Sequence, residues 1–377
     1  MIVRHFLQWV GTAAAGDRAD ATSALARAYL YSDLSADDRL AAEGAMVMLL
    51  DDPSPLVRRA LAEALATSSG APPAVIRALA GDQPDIAAIV LARSPLLLDT
   101  DLVDMVGAGD GQVAIASRPM LARPVAAAIA EVGSAEACLV LIESPTADLA
   151  VFSIDRIAER FGHLAAIREA LFARNDLPAA TRQGLVVKLS ETLGQFVTAR
   201  QWLGEARAER ITREACEKTT VALAGSSERS EMRSLVRHLR DSGQLNAGLV
   251  LRALLSGNLE LFEHALAELS GLPPRRVATL IHDRRSTGLR ALYDKSGLPL
   301  SAFPAVHAAL DAVRESGFAG DPGGATRLKR RMVERVLTRC EDAATGDVGP
   351  LLTLLRRFAT EAARDEARRL CEDLVAA

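Results

Sequence analysis

Asp51-Asp52-Pro53-Ser54-Pro55-Leu56-Val57-Arg58-Arg59-Ala60-Leu61-Ala62-Glu63-Ala64-Leu65 is the stretch whose reading decides the fold. Asp51 to Ser54 make a polar turn, and Ser54 offers an N-cap ahead of a proline at the first helical position. From Pro55 to Thr67, the residues Val57, Ala60, Leu61, Ala64 and Leu65 recur at i, i+3, i+4, i+7 and i+8, the stripe of an amphipathic helix. Upstream, Arg39 to Leu50 has the same helical spacing in Leu40, Ala41, Met46, Val47 and Leu50. Two short antiparallel helices of this kind cannot bury both apolar faces alone, so the pair predicts neighbours.

Fainter copies follow. Pro73 to Ala80 and Asp85 to Arg93 flank a Gly81-Asp82-Gln83-Pro84 turn. Further pairs are Thr100 to Val106 with Gln112 to Arg118, Arg123 to Glu131 with Ala135 to Glu143, and Ala147 to Arg160 with His163 to Ala173. Val57, Ile86, Val113 and Ala137 take equivalent places in the second helices, at separations of 29, 27 and 24 residues. A drifting period of this size is what stacked helix pairs allow, because each unit touches only its neighbours.

The 52–65 segment resembles the second helix of a HEAT repeat, in which an aspartate-proline turn precedes a valine-arginine pair and an alanine-leucine stripe. The other units lack the arginine. The whole chain also resembles a bacterial family of helical-repeat proteins of unknown function. That likeness is carried by the same repeat and by Leu272-Pro273-Pro274-Arg275-Arg276-Val277 through Gly288-Leu289-Arg290-Ala291-Leu292-Tyr293. It implies no activity. The fold class expected is therefore all-α: an α-solenoid of HEAT-like helix pairs over residues 1–200, then a helical, repeat-like C-terminal domain over 201–377.

Composition agrees with this reading. The chain has 377 residues, more than one core usually spans. It is 49% hydrophobic, which excludes bulk disorder, and only 4% aromatic, which argues against a β-sandwich. Cys138, Cys216, Cys340 and Cys371 lie far apart in the sequence, fitting neither a disulfide framework nor a zinc site, so a reducing cytoplasm is expected. The N-terminal stretch, interrupted by His5, Gln8 and Trp9, suits an amphipathic helix better than a secretory signal. The longest uncharged run, Ser296 to Leu310, is 15 residues with two prolines, too short to span a bilayer. Net charge is −4, divided as −7 over residues 1–200 and +3 over 201–377.

The second half reads as helices too: Glu205 to Ala224, Glu231 to Asp241, Ala247 to Leu255, Leu259 to Leu269, Pro274 to Ile281, Thr287 to Lys295 and Ser301 to Glu315. Thr326 to Asp342 and Pro350 to Val375 complete it. Two basic clusters stand out. Arg275, Arg276, Arg284, Arg285 and Arg290, with His282, surround one acid, Asp283. Two arginines in a helix's first turn oppose its dipole, which makes sense beside an anion. Arg327, Arg331, Arg335 and Arg339 recur every four residues and form a ridge beside Leu328, Met332, Val336, Leu337 and Cys340. Either cluster is an ordinary solvated surface or a grip for an anionic partner.

Motifs for catalysis are missing. No metal-binding H-E-x-x-H, nucleophile elbow or phosphate-binding loop with its lysine occurs. Gly107 to Gly111 reads as an inter-helix turn, and Gly320 to Gly324 lacks a lysine. No catalytic residue, cofactor or metal is expected. The function expected is a non-enzymatic scaffold or adaptor for a protein or peptide partner. The alternative is nucleic-acid binding, as in the DNA glycosylases built on HEAT-like repeats. A likeness of the 52–65 motif to the bilin-attaching lyases ranks below both.

Overall fold

The computed structural model describes residues 9–10, 12–283, 286–316, 332–340 and 349–376. All regular structure among them is helical. The chain divides between Leu177 and Pro178 into two compact units.

The first unit holds α1 (Ala15–Tyr31), α2 (Ala36–Leu49), α3 (Pro55–Leu65), α4 (Pro73–Ala80), α5 (Pro84–Arg93), α6 (Asp99–Ala108), α7 (Gln112–Ala116), α8 (Arg123–Val132), α9 (Ala135–Glu143), α10 (Val151–Phe161) and α11 (Ala165–Ala173). Contacts run between alternate helices. α1, α3, α5, α7, α9 and α11 pack in succession, while α8 packs against α6 and α10, and α2 against α4.

Most of these helices are too short to be stable alone, and a repeated burial register supplies the missing stability. In α4, α5, α8, α9 and α10 the buried residues are the third, fourth, seventh and eighth: Val75, Ile76, Leu79 and Ala80 in α4, for example, and Ala137, Cys138, Leu141 and Ile142 in α9. Val57, Ile86 and Ala137 all occupy the third helical position and are buried, as is Ile167 of α11. Val113 breaks the expected equivalence. It is the second residue of the short α7 and only half-buried, and Ile115 and Ala116 take the core places.

Arginines tie the layers together. Arg118 donates to Leu91 O at 2.6 Å and Ser94 O at 2.7 Å. Arg160 donates to Ala130 O at 2.7 Å and Gly133 O at 2.8 Å, and Arg174 to Ile142 O at 3.0 Å. Leu91, Ala130 and Ile142 are each the eighth residue of their helix. The guanidinium fork thus satisfies C-terminal carbonyls that a helix leaves unpaired, where the dipole favours a cation.

At the other helix ends, carboxylates organise the turns. Asp52 accepts from Arg18 at 2.7 Å and from the Ser54 amide at 2.8 Å. Ser54 holds the expected N-cap position, yet its hydroxyl makes no capping bond. Arg58 repeats the pairing one turn later, on Asp82 at 2.7 Å and Asp52 O at 2.7 Å. The glycine-rich turn is shorter than the expected Gly107 to Gly111, since Gly107 and Ala108 belong to α6. Gly109 and Gly111 have φ of 92° and 57°, and a Cβ on Gly111 would lie 2.2 Å from Leu91 Cδ1.

The second unit contains α12 (Ala179–Ala199), α13 (Glu205–Ser226), α14 (Arg229–Asp241), α15 (Ala247–Leu255), α16 (Leu259–Ser270), α17 (Pro274–His282), α18 (Ser286–Lys295), α19 (Phe303–Ser316), a helical stretch over 332–340 and α20 (Gly349–Ala376). α12 and α13 form a hairpin, α14 packs on α12 and α16, and α15 packs on α13, α16 and α19. The main core gathers Leu254, Phe262, Leu266, Tyr293, Val306, Val336, Leu355 and Phe358, so the 332–340 stretch and α20 belong to it.

Two measurements check this account. Leu61 is fully buried, so Leu61→Ala should lower unfolding free energy by about 2–5 kcal/mol in urea denaturation, whereas the exposed Leu40→Ala should leave it nearly unchanged. The Arg18 guanidinium, by hydrogen bond first, holds the Asp52 carboxyl below the usual carboxylate range. A depressed carboxyl stabilises the fold above its unfolded pKa and loses that contribution as pH falls through its folded value. The stability gap between wild type and Asp52→Asn should therefore hold at neutral pH, narrow on acidification below about pH 4 and close at lower pH.

Candidate functional site: a basic groove and a buried arginine

Of the arginines singled out by sequence, Arg284, Arg285, Arg327 and Arg331 lie outside the described residues. Arg275 and Arg276 are exposed in the first turn of α17, as expected. Arg335 and Arg339 are exposed in the 332–340 stretch, whose Met332, Val336 and Cys340 are buried. Arg339 faces Asp311 of α19 at 3.4 Å. His282 reaches Glu263 of α16 at 3.0 Å, a pairing across helices that sequence adjacency conceals.

The structure places a groove beside Arg275 and Arg276. It has a volume of about 460 Å³ and is lined by Arg233 and Arg240 of α14, His264 and Glu268 of α16, and the Gly271 to Pro274 turn that leads into α17. Arg233, Arg237 and Arg240 follow one another at i, i+4 and i+7 along the exposed face of α14, whose Met232, Leu235, Val236 and Leu239 are buried. Arg240 pairs with Glu268 at 2.7 Å. Arg233, Arg237, Arg275 and Arg276 have no carboxylate partner among the described residues. This sets them apart from Arg18, Arg58, Arg118, Arg160 and Arg174, which are spent on carboxylates and helix ends. The α14 ridge escaped sequence analysis because Arg229, Arg233, Arg237 and Arg240 are interleaved with Glu231 and Asp241, which mask the one-sided spacing.

A second feature was also missed. Arg252, the one charged residue in the apolar α15, is 4% exposed. Its Nη1 donates to Glu361 Oε2 of α20 at 2.6 Å, and its guanidinium lies 4.3 Å from the centroid of the Phe358 ring. Its Nε stands 3.5 Å from Glu217 Oε2 of α13, an ion-pair separation without hydrogen-bond geometry. Lys218 extends the network to Asp365 at 2.8 Å, and Arg357 to Glu214 at 2.7 Å. Burial pushes the Glu217 carboxyl above the usual range, and Arg252 and Asn246 offset this only in part. One arginine thus joins three helices.

The signal in sequence was the lone arginine inside Ala247 to Leu255. Its carboxylate partners, 35 residues upstream and 109 downstream, gave none. Arg252→Ala, which strands Glu217 and Glu361, should cost about 3–5 kcal/mol in chemical denaturation. Arg252→Met, which keeps the volume, should cost distinctly less.

Other chemistry is sparse. Among the described residues no group of three or more histidine, cysteine, aspartate or glutamate side chains could hold a metal ion, and no helix is long and apolar enough to cross a membrane. The four cysteines are unpaired, and burial pushes the Cys138 thiol up to about 11, away from reactivity. No curated protein and no solved structure matches the sequence. Residues 86–346 match the family described as an uncharacterised protein conserved in bacteria (DUF2336). That match spans more than half of the chain, and the chain belongs to this bacterial family.

Proposed function

We propose that the protein is a non-enzymatic adaptor, built on HEAT-like helix pairs stacked as a solenoid in the first unit, that binds an acidic segment of a protein partner along the basic groove of the second. The observation that carries this reading is Arg233 in the lining of a groove between α14, α16 and the α17 entry, with Arg237, Arg275 and Arg276 exposed on the same elements and all four without a carboxylate partner among the described residues. Arg18, Arg58, Arg118, Arg160 and Arg174 are consumed by carboxylates and helix ends, in contrast to these four. Alternate-helix packing in the first unit, with its repeated burial register, supports the solenoid reading. A cytoplasmic setting fits the unpaired cysteines.

Protein is favoured over nucleic acid because the groove lining holds no tryptophan, tyrosine or phenylalanine on which a base could stack. The bilin-lyase likeness gains no further residue. Attraction between exposed charges of this kind sets encounter rate and salt dependence more than raw affinity.

The test is affinity capture from bacterial extract, comparing wild type with Arg233→Glu/Arg275→Glu/Arg276→Glu. All three positions are exposed, so circular dichroism and melting should be unchanged. The wild type should retain a defined protein that elutes as salt rises and that the triple variant does not hold. Equal retention by both forms, or recovery of nucleic acid in place of protein, would overturn the proposal.

A further inference from the structure

α12 and α13 pair as a hairpin, and α14 meets α12 near its start, where Gln183 bonds Gln244 and Gly184 lies beside His238. Beyond that support the hairpin changes character, for no residue from 186 to 207 is fully buried. The residues that α12 turns toward α13 there are small and polar. A Cβ on Gly194 would lie 3.1 Å from Thr212 Oγ1, and Ser190 hydrogen-bonds Cys216, so the two helices run antiparallel. The large apolar residues point elsewhere. Leu193 is 55% exposed, Phe196 47%, Trp202 65% and Ile211 44%.

These side chains share one face. Val186, Leu189, Leu193 and Phe196 stand at i, i+3, i+7 and i+10, the seam spacing of helices that pack lengthwise. Leu193 comes one residue before Gly194 and Ile211 one before Thr212, and in an antiparallel pair that equal offset turns both to the same side. Phe196 meets Trp202 edge-on with 5.7 Å between ring centroids, and Arg200 closes the end of the seam 5.1 Å from the Phe196 centroid. Lys188 and Glu191 fall outside the seam, and the positions that flank it are the uncharged Ser190, Thr192, Val197 and Ala199.

Two antiparallel helices with one apolar face are half of a four-helix bundle. Where a seam selects a different partner, charges along its flanks do the selecting. This seam has none, so two identical faces approach without like-charge repulsion. The area is also sufficient. Aromatic side chains bury about 150–250 Å² each, so Phe196 and Trp202 leave on the order of 100 Å² open apiece. With Leu193, Ile211 and their half-buried neighbours, two copies face to face remove on the order of 1,000 Å², the lower bound of a specific interface. We propose that the apolar face of the α12–α13 hairpin is covered by the same face of a second copy, the two hairpins closing into a four-helix bundle about a twofold axis. Such a contact is self-complementary and ends at the dimer. It is independent of the basic groove.

Sedimentation of the full chain tests this. Wild type should run as a dimer, twice the 40.0 kDa chain, at about 100 µM and dissociate on dilution toward about 1 µM, as fits an interface of this size. Leu193→Glu/Phe196→Glu should be monomeric throughout, with circular dichroism unchanged because both side chains are exposed. Leu40→Glu, an exposed position in the first unit, should leave the dimer intact. In a Trp9→Phe background, Trp202 emission should shift to the blue as concentration rises, a readout that needs no substitution in the hairpin. A wild type that stays monomeric, a dimer that survives the double variant, loss of the dimer in Leu40→Glu as well, or Trp202 emission indifferent to concentration would overturn the inference.

Discussion

A helix of eight to eleven residues does not hold its shape in water, and the first unit is built almost entirely from such helices. Everything else in that unit answers this constraint. Five of these helices, α4, α5, α8, α9 and α10, bury a narrow stripe at the third, fourth, seventh and eighth residues, and the stripe has value only when a neighbour covers it. Each also ends in carbonyls that need donors. Arg160 in α10, and Arg118 and Arg174 just past the ends of α7 and α11, meet that need for the helix two elements earlier, always at the carbonyl of the eighth residue. Burial and capping therefore arrive together from the same neighbour. This explains why the helices can be short without being loose.

The second unit solves a related problem with buried charge. Arg252 gathers α13, α15 and α20, which are distant in the chain, and Phe358 packs on its guanidinium face. Buried ion pairs are poor sources of net stability, but they penalise arrangements that leave one member alone. Arg252 is best understood as fixing which way α20 lies. Arg233, Arg237, Arg275 and Arg276 on the α14 and α17 surface have no carboxylate partner among the described residues, while Arg240 of the groove is held by Glu268.

Much of the helical organisation was legible. α4, α9 and α15 agree with the periodic reading at both ends, because prolines, small polar caps and glycines punctuate strong apolar stripes there. Two helices were not legible. α1 buries Thr22, Ala26 and Tyr29, and α12 buries Ala179, Thr181, Gln183 and Leu185. Small and polar residues leave no apolar stripe in the sequence, and they are buried only because another helix approaches closely enough to use them. Val113 shows the complementary error. Its apolar character marked it for the core, but α7 begins one residue too late for it to face inward.

The candidate site divides in the same way. Arg275 and Arg276 were visible because their place after Pro273 and Pro274 fixes them in a first helical turn, a local relation that sequence determines. Their company was not visible. Arg233 and Arg240 come from α14 and His264 from α16, brought beside the α17 entry by packing between helices far apart in the chain. Sequence alone determined that this protein is helical and where most of its helices begin and end, since those follow from local residues, but it misplaced the buried face of α2, where Leu40, Ala41 and Val47 are exposed and Ala42, Ala45, Met46 and Leu49 are buried. Only the tertiary structure decided which arginines are spent on helix ends and which are left without a carboxylate, because charge compensation depends on distance in space.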